Sequence, residues 1–136
     1  MEIINSRAEQ AAEKKKCGYN CAQAVACSYC DIAGTDEETM KNITQAFAVG
    51  MGSMEATCGA LIGAGVVAGM VLKDKKASFA ASKEIITKFK EQNKSVICKE
   101  LKGVGTGKAL RECNDCVRDA ALFLEEALGN AGQIEK

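Results

Sequence analysis

Apolar positions along this chain recur every three or four residues and almost nowhere alternate, a period that predicts helices and not strands. Ile3, Ile4, Ala8, Ala11 and Ala12 keep to one side of a helix over 2–16, and Lys14, Lys15 and Lys16 suit the negative end of its dipole. Gly18 breaks that helix, and Asn20 is placed to cap a second one from Cys21 to about Ile32, closed by Gly34. Thr35 with Glu38 reads as the capping box of a third helix to about Val49. The glycine-rich stretch Gly50-Met51-Gly52-Ser53-Met54 reads as a loop.

An uncharged run from Ala56 to Leu72 follows. It is short for a bilayer span and diluted by glycine, so it reads as a buried helix over 58–72 capped by Thr57. In it Gly59 with Gly63, and Gly65 with Gly69, recur at four-residue spacing, which lets a neighbouring backbone approach. A fifth helix is expected from Lys75 to about Gln92 with Phe79, Ile86 and Phe89 inward. A short helical turn over Ser95–Leu101 carries Cys98, and 103–107 reads as a mobile loop. The last helix runs from Cys113 to Leu128, with Cys113, Val117, Ala120, Leu124 and Leu128 as its apolar stripe. The expectation is an all-α fold: one domain over 1–136, a compact bundle of about five to six helices around the glycine-rich helix.

Composition narrows the chemistry. The 18 basic and 18 acidic side chains balance, and aromatics are few, which argues against a nucleic-acid partner. The absence of proline fits uninterrupted helices. The first residues lack the basic start and apolar core of a signal peptide, so a cytoplasmic protein with no membrane partner is expected. In that compartment eight cysteines suggest metal or redox chemistry more than structural disulfides.

Cys21, Cys58 and Cys113 each fall at or beside a helix start, and Cys98 sits in a short turn. The positive end of a helix dipole favours the thiolate, the form that ligates metals and attacks disulfides. Four small buried hydrophobic residues are an equal reading of the same positions. Cys113 and Cys116 form a C-x2-C pair at a helix start, where the first thiol is acidified. Cys27 and Cys30 form a second such pair in mid-helix. The α-helical turn places Cys27 on a polar face and Cys30 at a boundary, which reads as incidental thiols. Cys17 is an accessory thiol with open geometry. There is no histidine for a Cys-His nucleophile, and Glu55 is the nearest candidate proton shuttle, more simply an acidic residue at a helix start.

Gly18-Tyr19-Asn20-Cys21-Ala22-Gln23-Ala24-Val25, Cys58-Gly59-Ala60-Leu61-Ile62-Gly63, Cys98-Lys99-Glu100-Leu101 and Cys113 with Val117-Arg118-Asp119-Ala120-Ala121 together form a pattern over nearly the whole chain. It resembles the redox-active protein family named for its C…GCAxxG…C…C cysteines, with Gly59 following the second cysteine here where the label writes it before. The resemblance implies that the family cysteines are Cys21, Cys58, Cys98 and Cys113, and that Cys17, Cys27, Cys30 and Cys116 are additions.

The leading expectation is a redox protein in which Cys21, Cys58, Cys98 and Cys113 hold an iron–sulfur cluster for electron transfer. Four thiolates without imidazole suit such a cluster or a zinc ion held by four cysteines. The rival is thiol–disulfide exchange, with Cys58 or Cys113 attacking and Cys116 or Cys98 resolving. A structural zinc or metal-free interaction protein is the third. A redox partner protein or a small-molecule electron carrier is expected in the first two cases.

Overall fold

A computed structural model of the chain describes residues 6–130. They form eight α-helices and no strand: α1 Ala8–Lys16, α2 Cys21–Ala26, α3 Cys30–Ala33, α4 Glu37–Thr44, α5 Gly59–Leu72, α6 Lys75–Asn93, α7 Cys98–Lys102 and α8 Cys113–Asn130. Ile3 and Ile4 lie outside the described residues. The bundle is all-α, as the periodicity predicts. It has more pieces than the expected five to six because the second helix is split in two and the short turn carrying Cys98 forms a helix of its own.

The expected second helix, 21–32, is interrupted by a 3-10 turn over Cys27–Tyr29. Ser28 Oγ donates to the Ala24 carbonyl at 2.9 Å, a back-bond that bends helices. Tyr29 then leaves helical geometry at φ −127° and ψ 22°. The third helix starts one residue later than expected. Asp36 and not Thr35 is its cap, accepting from the Thr39 N–H at 2.7 Å. It stops at Thr44 instead of Val49, because residues 45–49 turn and Val49 enters left-handed backbone at φ 53°.

Glycine-rich α5 packs against α2, α6 and α8, and α8 in turn packs against α1, α2 and α6. These two helices carry the centre of the bundle. The inward stripe of α8 holds as expected, with Val117, Ala120, Leu124 and Leu128 buried. On α6 the buried stripe is Ala81, Ile85 and Phe89. Phe79, expected inward, is 67% exposed; two residues from Ala81 it points roughly 200° away.

The glycines of α5 divide by face. A Cβ on Gly63 would lie 2.5 Å from the Ala22 carbonyl oxygen, and one on Gly59 2.4 Å from that of Phe47. Gly65 and Gly69 have nothing within 4 Å. The close approach is therefore real at Gly59 and Gly63, and α2 crosses α5 at Gly63. That crossing sets the start of α2 near the start of α5. Among the described residues no helix is long and apolar enough to cross a membrane.

Candidate functional site

The starts of α2, α5, α7 and α8 meet at one end of the bundle, and each brings a cysteine. Cys21 opens α2, Cys58 immediately precedes α5, Cys98 opens α7 and Cys113 opens α8. Asn20 caps α2 through a reciprocal pair: its Oδ1 accepts from the Gln23 N–H at 2.8 Å, and Gln23 Oε1 accepts from the Asn20 N–H at 3.1 Å. α5 starts differently from expectation. Thr57 does not cap it but forms an isolated antiparallel bridge with Ile97. The Cys58 N–H donates to Val96 O at 2.7 Å and the Cys98 N–H to Ala56 O at 3.1 Å. This two-residue clasp ties the segments that carry Cys58 and Cys98.

The loop before α8 is fastened as well. Arg111 makes a two-pronged contact with buried Asp119, at 3.0 and 3.1 Å, and Asn93 Nδ2 adds a third hydrogen bond to Asp119 at 3.1 Å. The Leu110 N–H donates to Leu101 O at 2.9 Å. The expected mobile loop 103–107 is a turn, exposed over 104–107, and these contacts hold its C-terminal flank against α7 and α8.

Together these elements bring Cys21, Cys58, Cys98, Cys113 and Cys116 around one cavity, with Lys102 and Arg111 on its wall. Its volume is about 10 Å³, room for about one water molecule. A much larger open groove between α5 and α6, about 510 Å³, has no ionisable side chain in its lining. Volume is therefore a poor guide to chemistry here. All eight cysteines are free thiols.

The four cysteines expected to converge do so, and Cys116 joins them. Cys116 had read as an addition, though a C-x2-C at a helix start does put both thiols on the first turn. Cys58 and Cys116 are buried and Cys113 is half-buried. Cys17 is exposed, Glu55 is exposed, and neither reaches the cavity. Cys27 is also elsewhere. Expected on a polar face, it is 7% exposed, because the 3-10 turn rotates it under α4, where its thiol faces Glu37 O at 4.0 Å. Cys30 is half-buried, as expected of a boundary position.

Within the cavity the sulfurs pair. The Cys21 thiol donates to the Cys113 sulfur, which pulls Cys113 down to about 6; burial opposes this, while Lys102 and Lys15 assist. The same proton, held between the two sulfurs, pushes Cys21 well above the ordinary range, with burial adding to it. Cys116 likewise donates to Cys58 and lowers it, against burial and with help from the first-turn N–H groups of Ala60 and Leu61. No full capping hydrogen bond closes on the Cys58 side chain, so those N–H groups act at longer range. Cys116 has one proton and two takers, since Arg111 O lies 3.9 Å from its sulfur. Burial raises Cys98, and Lys102 opposes it.

Five thiols, two of them acidified by neighbours and helix starts, with cations at the rim, are equipped for thiolate chemistry. The family described as "Putative redox-active protein (C_GCAxxG_C_C)" matches residues 19–127, which span all five of these cysteines. The chain belongs to that family. No curated protein and no solved structure matches it. The family's redox-active character and the sulfur-lined cavity agree on the kind of chemistry.

Proposed function

We propose that the chain is a thiol–disulfide redox protein in which Cys113 is the entering thiolate and Cys21 its resolving partner. The observation that carries this reading is the Cys21–Cys113 contact: an acidified, half-buried sulfur against a buried protonated one. Attack by the Cys113 thiolate on a disulfide of a partner protein or small carrier breaks that S–S bond and expels one thiolate. The Cys21 sulfur then attacks Cys113, forms the Cys21–Cys113 bond and releases the second thiolate. Two electrons and two protons leave the dithiol for the acceptor. On this reading Cys21, and not Cys116 or Cys98, is the resolving residue. Cys58 and Cys116 form a second contacting pair beside the first, and Cys98 completes the lining.

A second reading is favoured by the donor set: five thiols and no carboxylate in the lining suit an iron–sulfur cluster or a zinc ion on Cys21, Cys58, Cys98 and Cys113. The geometry fits it less well. Among the described residues no three cysteine or carboxylate side chains are spaced to hold a metal ion, and the cavity admits about one water. Binding a cluster would require the thiols to spread.

One preparation separates the two. Protein isolated without oxygen is analysed for iron, sulfide and zinc, then titrated with a small disulfide and its cysteine pairing mapped by mass spectrometry. Thiol exchange predicts colourless, metal-free protein that forms a Cys21–Cys113 bridge. Brown protein with stoichiometric iron and sulfide would overturn it.

A further inference from the structure

One cysteine pair is left unused by the five-thiol centre. Cys27 begins the 3-10 turn and Cys30 the helix α3 that follows it. In an α-helix, side chains three residues apart are offset by about 60°, whereas in a 3-10 turn they eclipse. Cys27 and Cys30 flank this turn three residues apart, near enough that each thiol shifts the other's titration.

The bend that does this is held from outside the pair. Tyr29 is fully buried, and its hydroxyl donates to Glu125, with Ala121 O at 3.5 Å as a second acceptor. Arg7 ties the same corner, donating to Ser28 O at 3.0 Å and to Asp31. Cys27 is covered by α4, while Cys30 is half-buried. One reachable sulfur with a covered sulfur three residues before it is the arrangement exchange needs: an entering thiol that meets the reagent and a resolving thiol close by. Cys27 lies six residues beyond Cys21, about 9 Å along the helix, so the pair is not in contact with the first centre.

We propose that Cys27 and Cys30 form a second redox site, a dithiol–disulfide couple that reacts with small disulfides independently of the five-thiol cavity. The Cys30 thiolate attacks one sulfur of the small disulfide, whose S–S bond breaks and whose outer half leaves and takes up a proton. The Cys27 sulfur, after losing its proton, attacks Cys30 in the mixed disulfide. The Cys27–Cys30 bond forms and the second half is expelled as a thiolate that is then protonated. The dithiol loses two electrons and two protons, and the small disulfide becomes two thiols. Burial, with Glu37 adding to it, raises both thiols, so this site starts more slowly than Cys113.

The test uses the full chain, reduced and then equilibrated without oxygen in graded mixtures of reduced and oxidised glutathione. Samples are quenched in acid, alkylated and mapped. Cys27 and Cys30 should leave the alkylated pool together, in a peptide lighter by two hydrogens. They should do so at the same mixture in a Cys58→Ser/Cys113→Ser double variant. Cys27→Ser should leave Cys30 trapped as the glutathione adduct. The proposal is overturned if both thiols stay alkylated at every mixture, if either bridges to another cysteine, or if the couple responds only while Cys113 is intact. Oxidation of this pair without any Cys21–Cys113 bridge would leave it standing and remove the reading of the first centre.

Discussion

The two ends of α2 hold the same functional group in opposite states. At its start, Cys21 keeps its proton and donates a hydrogen bond to Cys113, on the first turn of α8 beside Lys15 and Lys102, and Cys113 falls to about 6. Past its end, Cys27 is pushed up to about 12 by burial, by Cys30 and by Glu37. The residue type and the close partner sulfur are common to both. What differs is the surroundings: a helix start with Lys15 and Lys102 favours the Cys113 thiolate, whereas at Cys27 burial and Glu37 outweigh Lys14. Placement decides which thiol is a thiolate at neutral pH, and so which pair reacts first.

The contrast breaks most completely at its acidic member. Cys113→Ser should remove the fastest neutral-pH alkylation of the cavity, a rate about a hundredfold above that of an unperturbed thiol, because a thiol near 6 is mostly thiolate at pH 7 whereas one near 9 is about 1% ionised. Rates by residue-resolved labelling would check this, with Cys30 expected to be unchanged. Next comes the crossing that positions Cys21. Gly63→Leu should destabilise by about 3 kcal/mol through overpacking against the Ala22 backbone. Gly65→Ala, which meets open space, should instead stabilise by about 0.5–1 kcal/mol. Chemical denaturation of both variants tests whether α2 touches α5 at that one glycine face. A comparably small effect belongs to Cys27→Ser: about 1 kcal/mol of stability for a polar group under α4, and no change in Cys113 reactivity.

Stability should follow pH in the same sense. Cys113 and Cys58 are more acidic folded than their ordinary 9.0. The unfolded chain therefore binds more protons between the two values, and stability rises with pH across that window. The Cys113 contribution is fully present above 9 and is lost as pH falls through about 6. Urea midpoints from pH 6 to pH 9 should climb for the parent chain and climb less for Cys113→Ser.

Much of this was legible in local signals. Asn20 marks the start of α2, and the cysteines at the starts of α2, α7 and α8 follow from helix periodicity. Gly63 announces a crossing, though Gly69 at the same spacing does not make one. The clasp between Thr57 and Ile97 was not legible, since an isolated bridge leaves no alternating pattern. An α-helical wheel misplaces Cys27, because Ser28 and buried Tyr29 bend this segment to 3-10 geometry. Asp36 displaced Thr35 as a cap because either side chain can accept at a helix start, and only the backbone path decides between them. Cys116 was visible as half of a C-x2-C pair, but its place against Cys58 depends on α8 packing on α5, a contact no local pattern encodes.

The central claim is that position makes Cys113 the thiolate and leaves Cys27 and Cys30 protonated. It is tested most directly by alkylating the reduced, metal-free chain from pH 4 to pH 11 and following each cysteine by peptide mass spectrometry. The account predicts that Cys113 labelling rises with a midpoint near 6 and is level by pH 8, with Cys21→Ala moving that midpoint upward. Labelling of Cys27 and Cys30 should still be climbing above pH 9. A Cys113 midpoint near 9, unmoved by Cys21→Ala, or Cys30 labelled ahead of Cys113 at pH 7, would contradict it.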